Sequence, residues 1–148
     1  MGDETQLNGA RLRARTFLAP GIPLEFFERV TQHLERAFDC RIELEAESRV
    51  SGPMHGEFDP FAAGETDLGF LCSPSYLYLR SLERPSIELV PAGFVFHDER
   101  ARGEPVYFSE VVVRKDDGAN SFGDLANRTW GYHDECSLSG HFAALQTL

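Results

Sequence analysis

The stretch that decides the fold is RLRARTFLAPGIPLEFFERVTQHLERAFDCRIELEA, residues 11–46. Residues 11–18 read as a strand that stops at Ala19-Pro20-Gly21, a turn signal. Pro23 then stands where a helix can begin, because its missing N–H costs nothing there. Phe26, Phe27, Val30, Leu34, Ala37 and Phe38 recur at helical spacing, with Glu25 and Glu28 in the first turns where the dipole favours acids. Ile42, Leu44 and Ala46 alternate with polar residues, so residues 41–46 read as a second strand. Strand, helix, strand predicts a parallel crossover and an α/β fold.

Outward from this unit, residues 48–57 form a polar loop. Residues 58–63 (FDPFAA) are expected to form a short helix closed by Gly64. DLGFLC, residues 67–72, is almost wholly apolar, as in a central parallel strand covered on both faces, and residues 75–82 follow as a short helix. Residues 87–96 read as a strand broken by Pro91 and Gly93. VYFSEVVVRK, residues 106–115, has the highest β-branched and aromatic content of the chain and is expected to be its strongest strand. Ser121 with Asp124 three residues on forms a capping-box pattern before a short helix. Residues 129–133 read as a short strand, 134–140 as a polar turn, and 141–148 as the start of a helix. Repeats and low-complexity segments are absent.

Composition narrows the function. The chain has 148 residues with 14 Lys+Arg against 24 Asp+Glu, a net charge of −10. That balance argues against nucleic-acid binding, which needs clustered cations. Apolar runs fall far short of the roughly 18 residues that span a membrane, so no insertion is expected. Met1-Gly2 lacks the hydroxyl residue that myristoylation wants at position 6, where Gln6 stands. Cys40, Cys72 and Cys136 are widely spaced and read as buried thiols, not metal ligands. His33, His55, His97 and His133 show no ligand spacing, so neither metal nor cofactor is expected.

The segment with most chemistry is DECSLSGH, residues 134–141. It falls between a strand and a helix start, where free amides and the helix dipole attract anions. The Ser137 and Ser139 hydroxyls, with amides near Leu138, Gly140 and His141, could hold a tetrahedral oxyanion such as phosphate or phosphonate. The same residues fit a plain helix cap, with Ser139 as N-cap and Gly140 as a turn residue, and spacing leaves both readings open. A Ser-His-Asp hydrolase from Ser139, His141 and Asp134 is disfavoured, since no GxSxG elbow is present and the three are too close in sequence. Tyr107 is the aromatic most suited to wall a pocket and donate to an anion; a packed strand tyrosine fits its sequence context equally well.

Read together, FLAP (17–20), GETDLGFLC (64–72), PVYFSEVVVR (105–114), SFGDL (121–125) and WGYHD (130–134) running into SLSG (137–140) resemble the phosphate/phosphite/phosphonate-binding proteins of ABC importers, in the type II periplasmic-binding-protein superfamily. The resemblance runs from about Thr16 to the C-terminus. It implies two α/β lobes closing over a ligand, with the chain supplying one near-complete lobe (16–110, after an N-terminal tail and the start of the first strand at 1–15) and a hinge strand plus the start of a second lobe (111–148). It also implies an anion held by Ser137, Ser139 and the amides of Leu138, Gly140 and His141, with Tyr107 facing the ligand and loops at Ala19, Pro20, Ser73 and Pro74 lining the cleft. The implied function is oxyanion binding without chemistry, with an ABC permease as partner and no cofactor. An enzyme on the same scaffold, as in pyrimidine-cofactor biosynthesis, a sensor domain and a non-functional fragment are the alternatives. The family's secretory signal is not visible, so the resemblance implies an extracytoplasmic site while the chain as written stays where it is made. The second lobe barely starts, so the chain is expected to be truncated, with unpaired sheet edges that favour self-association.

Overall fold

The computed structural model describes residues 9–19 and 21–147. The chain divides into two compact units, Met1–Leu89 and Val90–Leu148.

In the first unit, β1 (Arg11–Thr16) and β2 (Arg41–Ala46) flank α1 (Leu24–Phe38) in sequence, as the alternation and the helical spacing predict. The two strands pair in parallel, Arg11 opposite Arg41 through Thr16 opposite Ala46. On β1 the period of two is visible in burial: Ala14 and Thr16 are buried while Arg11 and Arg13 are exposed. Two of the three β1 arginines pair with β2 glutamates, Arg11 on Glu43 and Arg15 on Glu45 at 2.9 Å. Such exposed pairs contribute little energy, but opposite charges across neighbouring strands favour this register. α1 ends where Asp39 enters the left-handed region (φ 49°), and the Glu35 carboxylate accepts the Ile42 amide at 2.8 Å, which sets the turn into β2.

The third strand, β3 (Leu68–Phe70), is shorter than the apolar run suggests and pairs in parallel with β1. The sheet order is β2-β1-β3, so among the described residues β1 is central and β3 is an edge. This corrects the reading of residues 67–72 as a central strand. Apolar content did not measure burial here: no residue of the run is fully buried, and Phe70 is half-covered by α1, whose Phe27 ring lies 5.0 Å away. α2 (Ser73–Ser81) follows directly, two residues earlier than expected, with a proline in its first turn. Residues 60–64 form hydrogen-bonded turns and not the expected helix: Ala63 donates to Asp59 and Gly64 to Phe61, and Gly64 takes φ +68°. The Asp59 side chain accepts the Phe61 and Ala62 amides as an N-cap does, but the turn ends at once, because Gly64 is left-handed and the Glu65 and Thr66 amides close back on the Pro60 carbonyl.

A clamp fixes the entry to β3. Asp67 accepts from the Arg13 amide at 2.8 Å and from its guanidinium at 3.0 and 2.9 Å. The Arg13 side chain holds the Asp67 carboxyl below its ordinary range, outweighing the opposing effect of burial. A carboxylate with a lowered folded pKa stabilises fully above its unfolded pKa, and that contribution is lost as pH falls through the folded value. Asp67→Asn is therefore expected to cost about 1 kcal/mol at neutral pH, after discounting for solvent screening, and to flatten the loss of stability below about pH 4. Urea titrations at stepped pH read this; a pH profile parallel to wild type would refute it.

In the second unit the sequence and the structure part. Among the described residues no strand forms at 87–96, 106–115 or 129–133. These stretches are non-helical apart from a short 3₁₀ turn at Glu99–Ala101 between the first two. A strand exists only by pairing, and high β-propensity cannot supply a partner. Val112 is 86% exposed in consequence. The capping box does form: the Asp124 carboxylate accepts from the Ser121 amide at 2.8 Å and its hydroxyl at 2.9 Å, opening a 3₁₀ turn at Phe122–Leu125. The C-terminal helix begins earlier than expected, as a wide turn over Leu138–Phe142 that continues into α3 (Ala143–Leu145).

Candidate functional site

The two groups of expected ligand-contact residues fall in different units. In the first, Ala19 follows β1 and Ser73-Pro74 follow β3. Because these strands are parallel neighbours, both exits lie at the carboxyl edge of one sheet, the edge at which open α/β sheets bind ligands. Pro20 lies outside the described residues. A third segment crosses the same edge: Ser51 donates its amide to Phe17 (3.0 Å) and accepts from the Cys72 amide (2.8 Å), while the buried Ser75 hydroxyl donates to Pro53 (2.7 Å). Residues 51–53, read from sequence only as part of a polar loop, are thus stitched to both strand exits. The Gly52-Pro53 pair was the available signal for a fixed turn.

In the second unit the turn is built from Asp134 onward. The Asp134 side chain accepts the Cys136 amide at 2.7 Å and its carbonyl accepts the Ser137 amide at 3.2 Å. Ser137, buried, is the N-cap: its hydroxyl accepts the Gly140 amide at 3.1 Å. Its carbonyl accepts from both His141 (3.1 Å) and Phe142 (3.2 Å), the five-residue spacing that widens the turn. The helix-cap reading therefore holds with the cap at Ser137 and not at Ser139. The amides of Gly140 and His141 are spent inside the turn. Ser139 differs: its amide and hydroxyl bond to no described residue, while its carbonyl accepts the Ser109 hydroxyl at 2.7 Å. Gly140 is required by close approach, since a Cβ there would meet Ser137 Oγ at 3.0 Å and His133 Cβ at 3.2 Å.

Ser139 and Gly140 open onto a cavity of about 640 Å³, whose walls include Ser109, Val112, Trp130 and His133. Neither Ser109 nor His133 was singled out by spacing, although Ser109 lies inside the quoted YFSEVVVR segment. Tyr107 does not border this cavity and is 59% exposed. The His141 ring lies 4.7 Å from Tyr132 and 5.3 Å from Phe142. Charge nearby is mixed: Arg128 borders the cavity but pairs with Asp117 at 3.1 Å, and His133 stands 3.8 Å from Asp134. Asp124, two residues after the wall residue Phe122, is held under the ordinary carboxyl range by the Asn120 amide first and then by the Ser121 hydroxyl and amide. Among the described residues no cluster of His, Cys, Asp or Glu could hold a metal ion.

The family model of the ABC-transporter phosphonate periplasmic substrate-binding protein matches residues 24–148, which include every element from α1 onward and the whole Ser137–Gly140 turn. The chain belongs to this phosphonate-binding family. Comparison with the curated proteins and with the solved structures gave no match. The family consists of transport substrate-binding proteins, not of a class of enzymes, and membership implies a small-molecule ligand and a transporter permease as partner. The small parallel sheet with its crossover helix agrees with a periplasmic-binding-protein-like domain. No described helix of this family member is long and apolar enough to cross a membrane.

Proposed function

We propose that the chain binds a phosphonate-type tetrahedral oxyanion at the Ser137–His141 turn and leaves it chemically unchanged for delivery to a permease. The observation that carries this reading is Ser139: a half-buried residue at a helix start, on a cavity wall, with amide and hydroxyl both unengaged among the described residues. Donors fixed by a fold before the ligand arrives lose little entropy on binding, and the helix start adds positive potential. Ser137 contributes differently. Its hydroxyl oxygen accepts from Gly140 and holds the turn that presents Ser139; Ser137 itself is buried and does not border the cavity. The Leu138, Gly140 and His141 amides shape the turn and its field.

Calorimetry with phosphate, phosphite and methylphosphonate tests the reading. Ser139→Ala removes one charge-assisted donor and is expected to weaken binding by about 1–3 kcal/mol, roughly 5- to 150-fold. Ser137→Ala is expected to weaken binding and also to lower the melting temperature, because the cap is lost as well. Phosphorus NMR of the bound methylphosphonate should show one unaltered species. Heat from none of the three anions with the fold intact would defeat the proposal, and so would a product peak for its claim of no chemistry.

A further inference from the structure

Residues 108–115, FSEVVVRK, present an unpaired stretch of β-forming sequence. Among the described residues the backbone amides and carbonyls of 108–113 make no backbone–backbone hydrogen bond, and Val111, Val112 and Val113 are 45%, 86% and 46% exposed. A row of unpaired backbone groups carrying three adjacent β-branched residues is a template for another strand. The sequence itself says which strand fits. It is antisymmetric in charge about Val112: Glu110 lies two residues before it and Arg114 two residues after.

We propose that two copies of this chain pair through residues 109–115 as antiparallel strands related by a two-fold axis at Val112. In that register Val112 faces its own symmetry mate, Val111 faces Val113, and Glu110 faces Arg114 on both sides of the axis. The contact is isologous, so it closes as a dimer. Each cross-strand pair of opposite charge adds a modest increment, and the two-fold axis counts it twice. Parallel pairing in register would put Glu110 on Glu110 and Arg114 on Arg114, so charge selects the antiparallel arrangement. Within the chain Glu110 already accepts from Arg100 at 2.6 Å, and Arg114 lies 3.7 Å from Asp116. All four side chains are more than half exposed, so both groups can accommodate a further partner. Pairing would also cover Val112, the most exposed of the large apolar residues described.

Sedimentation equilibrium of the full 148-residue chain tests this, with folding of each variant checked by far-ultraviolet circular dichroism. The wild type is expected to be a concentration-dependent dimer. Glu110→Arg sets Arg against Arg twice and is expected to weaken the dimer about tenfold or more. Glu110→Arg combined with Arg114→Glu restores opposite charges across the axis and is expected to recover the wild-type dissociation constant. That rescue cannot come from the internal Arg100 pair, which the double change leaves broken. Val112→Cys, oxidised and mapped by mass spectrometry, is expected to give a disulfide that joins position 112 of one copy to position 112 of the other. A monomer at all concentrations, an open series of larger species, or a dimer indifferent to both Glu110→Arg and the double change would each overturn the proposal.

Discussion

Gly52→Ala is expected to destabilise the first unit by about 3 kcal/mol or more. Two effects add. Gly52 sits at φ +114°, a conformation alanine adopts only with strain. A Cβ built there would also lie 2.5 Å from Ser75 Oγ and 3.0 Å from both Leu71 Cβ and Ser75 Cβ. Neither side can yield easily. Ser75 is fully buried and its hydroxyl is bound to Pro53, while Ser51 is held by Phe17 and Cys72. The added methyl must therefore push the loop off the strand exits or break the Ser75 bond. Chemical denaturation followed by far-ultraviolet circular dichroism measures the cost. Ser75→Gly in the Gly52→Ala background removes the two Ser75 contacts but neither the Leu71 contact nor the backbone strain, so it should recover part of the loss, a coupling that a double-mutant cycle isolates. A Gly52→Ala variant within about 0.5 kcal/mol of wild type would show that the loop is not pinned.

Phe27→Ala is expected to cost about 3–5 kcal/mol. Phe27 is 1% exposed on α1 and meets Phe70 of β3 at 5.0 Å and Phe26 edge-on at 5.3 Å. It is the point at which the crossover helix rests on the sheet. Truncation removes the ring's burial and leaves a cavity that a helix tied at both ends cannot close. Small domains have only about 5–15 kcal/mol in hand, so this loss should shift the urea midpoint strongly. Phe38, on the same helix but 54% exposed, gives the contrast: Phe38→Ala should move the midpoint little. Equal shifts for the two variants would refute the packing argument.

The first unit was legible because its signals are local and agree with one another. The turn signal that closes β1, the 3.6-residue spacing of α1 and the alternation of β2 each mark one element. Two such strands joined through a helix favour the parallel crossover observed. What was missed there involved competing bonds and long-range geometry. Residues 58–63 start a turn that Asp59 caps, but Gly64 turns left-handed and the chain closes back on Pro60 after a single turn. The run at 67–72 is apolar yet lies at the sheet edge and is nowhere fully buried, Phe70 being half-covered by α1.

At the proposed site, the sequence pointed to the turn, and the spacing of Ser137 and Ser139 could not say which one caps. That assignment depends on whether the Ser137 carbonyl closes onto His141 and Phe142, a matter of backbone angles over five residues. The burial of Ser137 and the openness of Ser139 follow from it.

By itself, then, the sequence determined the strand–helix–strand unit, the capping box at Ser121 and the family to which the chain belongs, since each is written in residue types at fixed short spacing. Tertiary structure alone decided the strand order, the pinning of Gly52 beneath Ser75, and the unpaired state of residues 108–113. Pairing and close approach depend on which distant segments meet, and a residue's own preference for strand or turn carries no information about its partner.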